Sequence, residues 1–360
     1  MLFLAKVIKM LELFKSFMHI NDINSQFLDL HKRNSFALSN IGLTRATISQ
    51  RIYKESGFKF KLSANHNFTV CVSHDIDTLF LSKRHCFKQL SFDVFNLRIP
   101  KIAQNVKTIV NKRNSIFNNI EQLTSILDRY NISSTFFFMA LEKYERDFNY
   151  EIDEVKDVLL TLVEKGHAIG LHGGHEAYFN KTKMLSEKNK LEDVLSKEVI
   201  GYRNHYLKCQ IPDFYNNLEY CGFKYDSTIG YHDMVGFRNG VCFPFQPYNE
   251  VLNNEFQFYE IPLALMDVTL YKYLNLDFKT SLEIAKYVVD GVASIGGVFT
   301  LLWHNTEIFG ERLELFLEIL NYCQEKHAIF INMEQLIKMW EEGDYASQYN
   351  KMIKECIKDE

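Results

Sequence analysis

Only five prolines are spread over the 360 residues, and no Pro-, Gly- or Ser-rich stretch, repeat or low-complexity tract is present. A flexible linker between independent domains therefore has no composition to draw on. The seven cysteines stand at 71, 86, 209, 221, 242, 323 and 356, odd in number and without a C-x-x-C pair. This scatter excludes a disulfide framework and a structural zinc knot, and fits a reducing, cytoplasmic compartment. No apolar run approaches the roughly 18–20 residues needed to span a bilayer. Charge of one sign is also scarce: the formal net charge is -4, which implies no general attraction to nucleic acid. What is abundant is apolar material, 47% of the chain with thirty Phe and nineteen Tyr, enough for a sizeable packed core.

Two segments stand apart from the rest. In residues 1–18, Lys6, Lys9, Glu12 and Lys15 alternate with Leu4, Val7, Ile8, Leu11 and Phe14, the pattern of an amphipathic helix. It lacks the unbroken apolar stretch and cleavage site of a signal peptide. Packing on its own domain is the simplest reading, with attachment to a membrane surface or a partner as the other. Residues 80–113 carry eight Lys or Arg against the single acid Asp93. Such an insertion is either a solvated face or a contact for an anionic lipid or acidic glycan.

From about residue 66 onward, short apolar runs alternate with helical patterns. Strands are expected at 68–74, 132–139, 167–172, 198–203, 256–263, 297–304 and 328–332. Helices are expected near 115–130, 151–165, 181–195, 212–221, 277–294, 310–326 and 333–341. The repeated strand–helix order predicts an α/β fold with a parallel sheet covered by helices, and about seven such units close a barrel. The expected organisation is a helical extension over 1–65, a (β/α) barrel over 66–342 that includes the insertion at 80–113, and a tail over 343–360.

The polar residues gather at the ends of these strands. His74, Asp75 and Asp77 close the first, His172 and His175 the third, Arg203 and His205 the fourth. Asp267 follows the segment 256–263, and His304 ends GVFTLLWH. In a closed parallel barrel all strand C-termini open on one face, where active sites are built. Imidazoles and a carboxylate hold a divalent metal with one position left for water, a second carboxylate takes a proton, and a separate His returns one. An Arg beside the basic carboxylate keeps it ionised. Such a set suits hydrolysis of an amide or ester. A Ser-His-Asp hydrolase lacks an elbow motif here.

The segments SHDID (73–77), STFFFM (134–139), HAIGLHGGHE (167–176), GYRNHYLK (201–208), YDSTIGY (225–231), EIPLALMDVTL (260–270) and LLWHN (301–305) run in the order of the polysaccharide deacetylase motifs. The chain resembles that family over about residues 66–340. The HDID form, with YDST and RNHYLK, looks most like a bacterial branch found with surface-polysaccharide synthesis. The resemblance implies a distorted (β/α) barrel and a metal-dependent hydrolase, with Zn2+ the leading metal, that removes an N- or O-linked acetyl group from a glycan or lipid-linked sugar. It makes Asp75 the catalytic base, Arg203 its brace, His304 the general acid and Asp267 the carboxylate that orients it. Asp77 and His172 become metal ligands. The family's second metal histidine, at H-x-x-x-H spacing, would fall at Glu176, so either His175 or Glu176 completes the set, with His175 preferred. His205, Tyr206 and Trp303 are candidates for substrate contact. Peripheral membrane contact through 1–18 or 80–113, at the inner face of the membrane, is a further expectation. Two other readings stay open: hydrolysis of a different C–N bond, and a glycan-binding protein on the same scaffold without activity.

Overall fold

The computed structural model describes residues 65–343 other than 250, together with 49 and 345. The expected extension at 1–65 and tail at 343–360 thus fall almost wholly outside the described residues. Among those residues no helix is long and apolar enough to cross a membrane.

In chain order the described strands are β1 (Phe68–Ile76), β2 (Thr135–Phe138), β3 (Ala168–Gly173), β4 (Gly201–Asn204) and β5 (Tyr225–Asp226). They continue with β6 (Tyr248–Asn249), β7 (Asn254–Glu255), β8 (Tyr259–Glu260), β9 (Leu265–Met266), β10 (Val298–Leu302) and β11 (Ala328–Phe330). β6 and β7 form a separate antiparallel hairpin. The others make one parallel sheet in the order β8-β5-β4-β3-β2-β1-β10-β9, with β11 against the start of β1. The first path member and the last belong to one stretch of chain. Tyr259 and Glu260 pair with β5, and Leu265 and Met266 pair with β10. Residues 259–266 therefore bridge the gap and bring the sheet round to a distorted (β/α) barrel.

Most strands fall where their apolar, β-branched and aromatic runs predict them. The expected single strand at 256–263 is the exception, because it breaks into β8 and β9 on either side of Pro262. Proline has no N–H to give a ladder, and its carbonyl instead accepts the Thr300 hydroxyl. β5 was marked by the YDSTIGY segment without being expected as a strand; its two residues are too short to show a period. The insertion at 80–113 contains two helices, Lys83–Phe95 and Ile99–Val110.

Alternation along each strand sorts the side chains into two layers. Val70, Val72, Phe136, Phe138, Ile169, Leu171, Tyr202, Phe299 and Leu301 pack outward against the helices. Cys71, Phe137, Tyr225 and Val298 point inward and fill the barrel's N-terminal half. Gly201 is required there: a Cβ on it would lie 2.2 Å from the Tyr225 ring. With its lower half plugged, the barrel leaves a cavity at its C-terminal mouth. The helices around it are fixed by caps of the expected kind: Asn180 accepts from Lys183 N–H, Asp277 from Thr280 N–H, and Asn332 forms a reciprocal box with Gln335.

Candidate active site

Above Cys71, the next inward residues of β1 are Ser73 and Asp75, and Asp77 follows just past the strand. From β4, Arg203 enters the same space, wholly buried. Its Nη1 donates to Asp75 Oδ1 and to Ser73 Oγ, each at 2.9 Å, while Nε donates to the Ser227 carbonyl and Nη2 to Ser227 Oγ. The guanidinium also lies over the Phe137 ring, 4.5 Å from its centroid. A buried guanidinium that donates four hydrogen bonds fixes the direction of Asp75.

His172, the inward residue near the end of β3, donates from Nδ1 to the Arg203 carbonyl at 3.0 Å. That bond sets its tautomer and leaves Nε2 with a lone pair facing the mouth. Nε2 lies 3.1 Å from Asp77 Oδ1, 3.7 Å from Asp75 Oδ2 and 3.1 Å from His205 Nδ1. Asp77, His172 and His205 each offer a ligand atom, and all three atoms lie within 4.8 Å of one another. Asp77 Oδ1 is buried with no hydrogen-bond partner, as expected of an atom awaiting a cation. A divalent metal fits this donor set.

The electrostatics agree. Burial alone would raise the Asp77 carboxyl, but His205 and then His172 and His304 hold it well below the usual carboxylate range. Burial pushes His205 down to about 4, against the opposing pull of Asp77. His172 is drawn up by Asp75 and Asp77 against the opposing pull of burial.

The structure does not bring His175 or Glu176, either of which was expected to complete the set, into this group of three. His175 Nε2 faces Lys208 Nζ at 2.9 Å and Arg146 Nη1 at 3.2 Å, and its Nδ1 lies 3.9 Å from Asp147 Oδ2. Glu176 is exposed and pairs with Lys183. Gly173 and Gly174, two residues before them, owe their identity to packing. A Cβ on Gly173 would collide with the Tyr202 hydroxyl, and one on Gly174 would meet Leu141 and Glu187.

On the far side of the mouth, His304 follows β10. Its Nδ1 donates to Asp267 Oδ1 at 2.7 Å, and its backbone N–H donates to Asp267 Oδ2 at 2.5 Å. Its Nε2 is turned inward, 3.7 Å from Asp77 Oδ2. Burial opposes the charged imidazolium, but Asp267 first, then Asp77 and Asp75, push its pKa up to about 10. His74 points the other way, as alternation demands. It donates from Nδ1 to the Trp303 carbonyl at 2.6 Å, and burial lowers it to about 3. Trp303 is wholly buried among Phe316 and Tyr271, with Nε1 donating to the Glu307 carbonyl. Trp303, expected as a substrate contact, thus lies in the layer under the helices.

The cavity above these groups holds about 160 Å³, and Tyr206, His232, Lys272 and Tyr273 add to its walls. That is less than the ~300 Å³ at which ordinary ligand pockets begin, room for a small group and not for a whole sugar. Tyr206 and Leu207 both hold positive φ, 61° and 53°, the left-handed region that non-glycine residues rarely occupy. This turn seats the Tyr206 ring 3.8 Å from the His205 ring. Asp147, also at positive φ, sets Oδ2 3.6 Å from His205 Nε2, the position of an outer carboxylate that orients an imidazole. Sequence reasoning missed Asp147 and His232. Both sit in loops at strand C-termini, and that placement was the one available signal.

Beneath the Gly173–Gly174 turn, the buried Glu187 accepts the Gly174 N–H at 2.8 Å, while its other oxygen has no partner. Burial raises its pKa from 4.5 to about 8. A carboxyl raised on folding contributes stability that is complete below about pH 4.5 and lost as pH climbs through about 8. Glu187→Gln, which keeps the acceptor, is expected to flatten that slope. At pH 9 it should be more stable than the parent by on the order of a few kcal/mol, read from denaturant melts.

No family model matches the chain, and no curated protein matches it in sequence. Solved structures do match in fold. A putative polysaccharide deacetylase from Mycobacterium smegmatis shares a TM-score of 0.54 and 17% identity, covering 78% of this chain and 92% of that one. A polysaccharide deacetylase from Bacillus cereus is similar at 0.41 and 13%, covering 74% and 91%. The family 4 carbohydrate esterase from Streptomyces lividans, solved with acetate, is similar at 0.37 and 10%, covering 74% and 92%. The chain thus has a distorted (β/α) barrel of the kind seen in the mycobacterial structure. In this chain that barrel carries a histidine–carboxylate cluster at its mouth.

Proposed function

We propose that the protein is a metal-dependent hydrolase that removes an acetyl group, N- or O-linked, from a glycan or lipid-linked sugar, in the manner of the polysaccharide deacetylases it resembles. The observation that supports this reading best is the convergence of three separate devices on one small cavity. These are the Asp77–His172–His205 triad, the Arg203-braced Asp75 and the Asp267-oriented His304. Asp77, His172 and His205 would hold a divalent ion, Zn2+ being the leading choice for one carboxylate and two imidazoles. Such an ion would polarise the acetyl carbonyl and acidify a water beside it.

The chain's own groups account for the proton traffic. Asp75 takes the proton from the attacking water, and Arg203 holds its carboxylate in place through Oδ1. His304 delivers a proton from Nε2 to the leaving nitrogen or oxygen, and Asp267 holds the ring in the donating direction. Asp147 steadies His205 from behind. The cavity admits the acetyl end, leaving the remainder of the sugar at the rim beside Tyr206.

Acetate release tests this reading. Protein reconstituted with zinc should liberate acetate from N-acetylglucosamine oligomers or from an O-acetylated glycan, and chelator should stop it. Sugar binding with no acetate released from either substrate class would move the assignment to a glycan-binding protein.

A further inference from the structure

The hairpin of Lys83–Phe95 and Ile99–Val110 is built inside out. Its seam is polar: Asp93, wholly buried, accepts from Asn105 Nδ2 at 3.0 Å, and Thr108 is buried beside them. Its outer surface is apolar. Phe95 is 88% exposed, Leu97 80% and Val110 81%, with Phe92, Ile99 and Val106 also exposed. Ile99, Ala103, Val106 and Val110 recur at helical spacing, so they form one outward stripe opposite Asn105 and Thr108. A helix dissolved in water turns its stripe the other way, and an exposed apolar patch of this kind marks a contact surface.

Charge identifies the occupant. Lys88, Lys101, Lys107 and Arg113 are exposed on the same hairpin and the turn after it, Arg98 lies 3.9 Å from the buried Asp93, the one acid in 80–113, and Lys112 pairs with Glu154. Apolar and aromatic side chains ringed by cations fit an anionic lipid surface, where the former enter the interface and the latter meet headgroups. A second copy would set two basic faces against each other, which repel. The amphipathic segment 1–18 is itself basic, with three Lys to one Glu, and is disfavoured for the same reason.

We propose that this hairpin docks the protein on an anionic membrane surface. The hairpin leaves the barrel a few residues after Asp77, and its base is tied down where Asn149 Oδ1 accepts the N–H groups of Leu79 and Phe80. It therefore stands on the rim of the mouth. Given the deacetylase reading, docking would bring that mouth to glycans carried at a lipid surface.

The test uses the full chain and vesicles of phosphatidylcholine, alone or mixed with phosphatidylglycerol. Cosedimentation should occur with the mixed vesicles and weaken with salt. Phe95→Ser/Leu97→Ser/Ile99→Ser should lower binding by about tenfold or more, and Lys101→Glu/Lys107→Glu should lower it without touching the apolar stripe. Acetate release from a soluble oligomer should stay unchanged in both, so failure of docking is separable from failure of the deacetylase reading. Absence of binding to mixed vesicles overturns the proposal. So does binding that both variants retain, which would place the contact elsewhere in the chain. A parent dimer that the serine variant converts to monomer, without vesicle binding, would make a second copy the occupant and overturn it as well.

Discussion

Asp75→Asn is expected to keep its metal and lose its turnover. Asn can still accept from Arg203 at Oδ1, so the geometry of the mouth survives, but an amide takes no proton from water. Removing a general base of this kind lowers kcat by about 10²–10⁴-fold, measured as acetate released per minute at saturating substrate. A second signature accompanies it. Arg203 is wholly buried and its ion pair with Asp75 is 2.9 Å long, so neutralising one partner strands a charge, costing up to about 3 kcal/mol in a denaturant melt. A variant with near-parental turnover would remove Asp75 from the role of base. One with parental stability and no activity would show that Arg203 finds its counter-charge elsewhere.

His205→Ala and His175→Ala are expected to part company in metal content. With His205 removed, the triad is reduced to Asp77 and His172. Affinity should then fall by more than the ~10–100-fold typical of losing an outer-shell partner. With His175 removed, the triad is intact and the two cations that face its Nε2 lose only a neutral acceptor, so metal should be retained. Elemental analysis of protein purified without chelator reads both. Loss of metal in His175→Ala with retention in His205→Ala would return the third ligand to the HGGHE segment.

That reversal shows where the sequence is readable and where it is not. Strand positions are carried by apolar runs of β-branched and aromatic residues, and the gathering of His, Asp and Arg at strand ends follows from the parallel order alone. Asp75, Asp77, His172, Arg203, Asp267 and His304 were legible this way, and the structure brings all six to one mouth. His205, the third member of the triad, was not, because HGGHE offers a local spacing that looks like a metal motif. The competing histidine arrives from the end of the next strand, directly before two left-handed residues that no propensity foretells. Alternation would have helped: counting inward from Arg203, residue 205 falls on the cavity side. The same count from Thr300 and Leu302 sends Trp303 outward into the helix-covered layer. Asp147 was invisible because its loop has no period, and its neighbour relation to His205 exists only after folding.

The order of strands around the barrel also divides the labour along the chain. Asp75, Asp77, His172, Arg203 and His205 all come from β1 through the turn after β4, whereas Asp267 and His304 come from β9 and β10. On the deacetylase reading, metal capture would thus be written in the first part of the barrel and proton delivery in the second. A lesion confined to the later strands should yield a chain that still loads its ion yet stalls with the leaving group unprotonated. The two halves of the chemistry can therefore be damaged, and studied, one at a time.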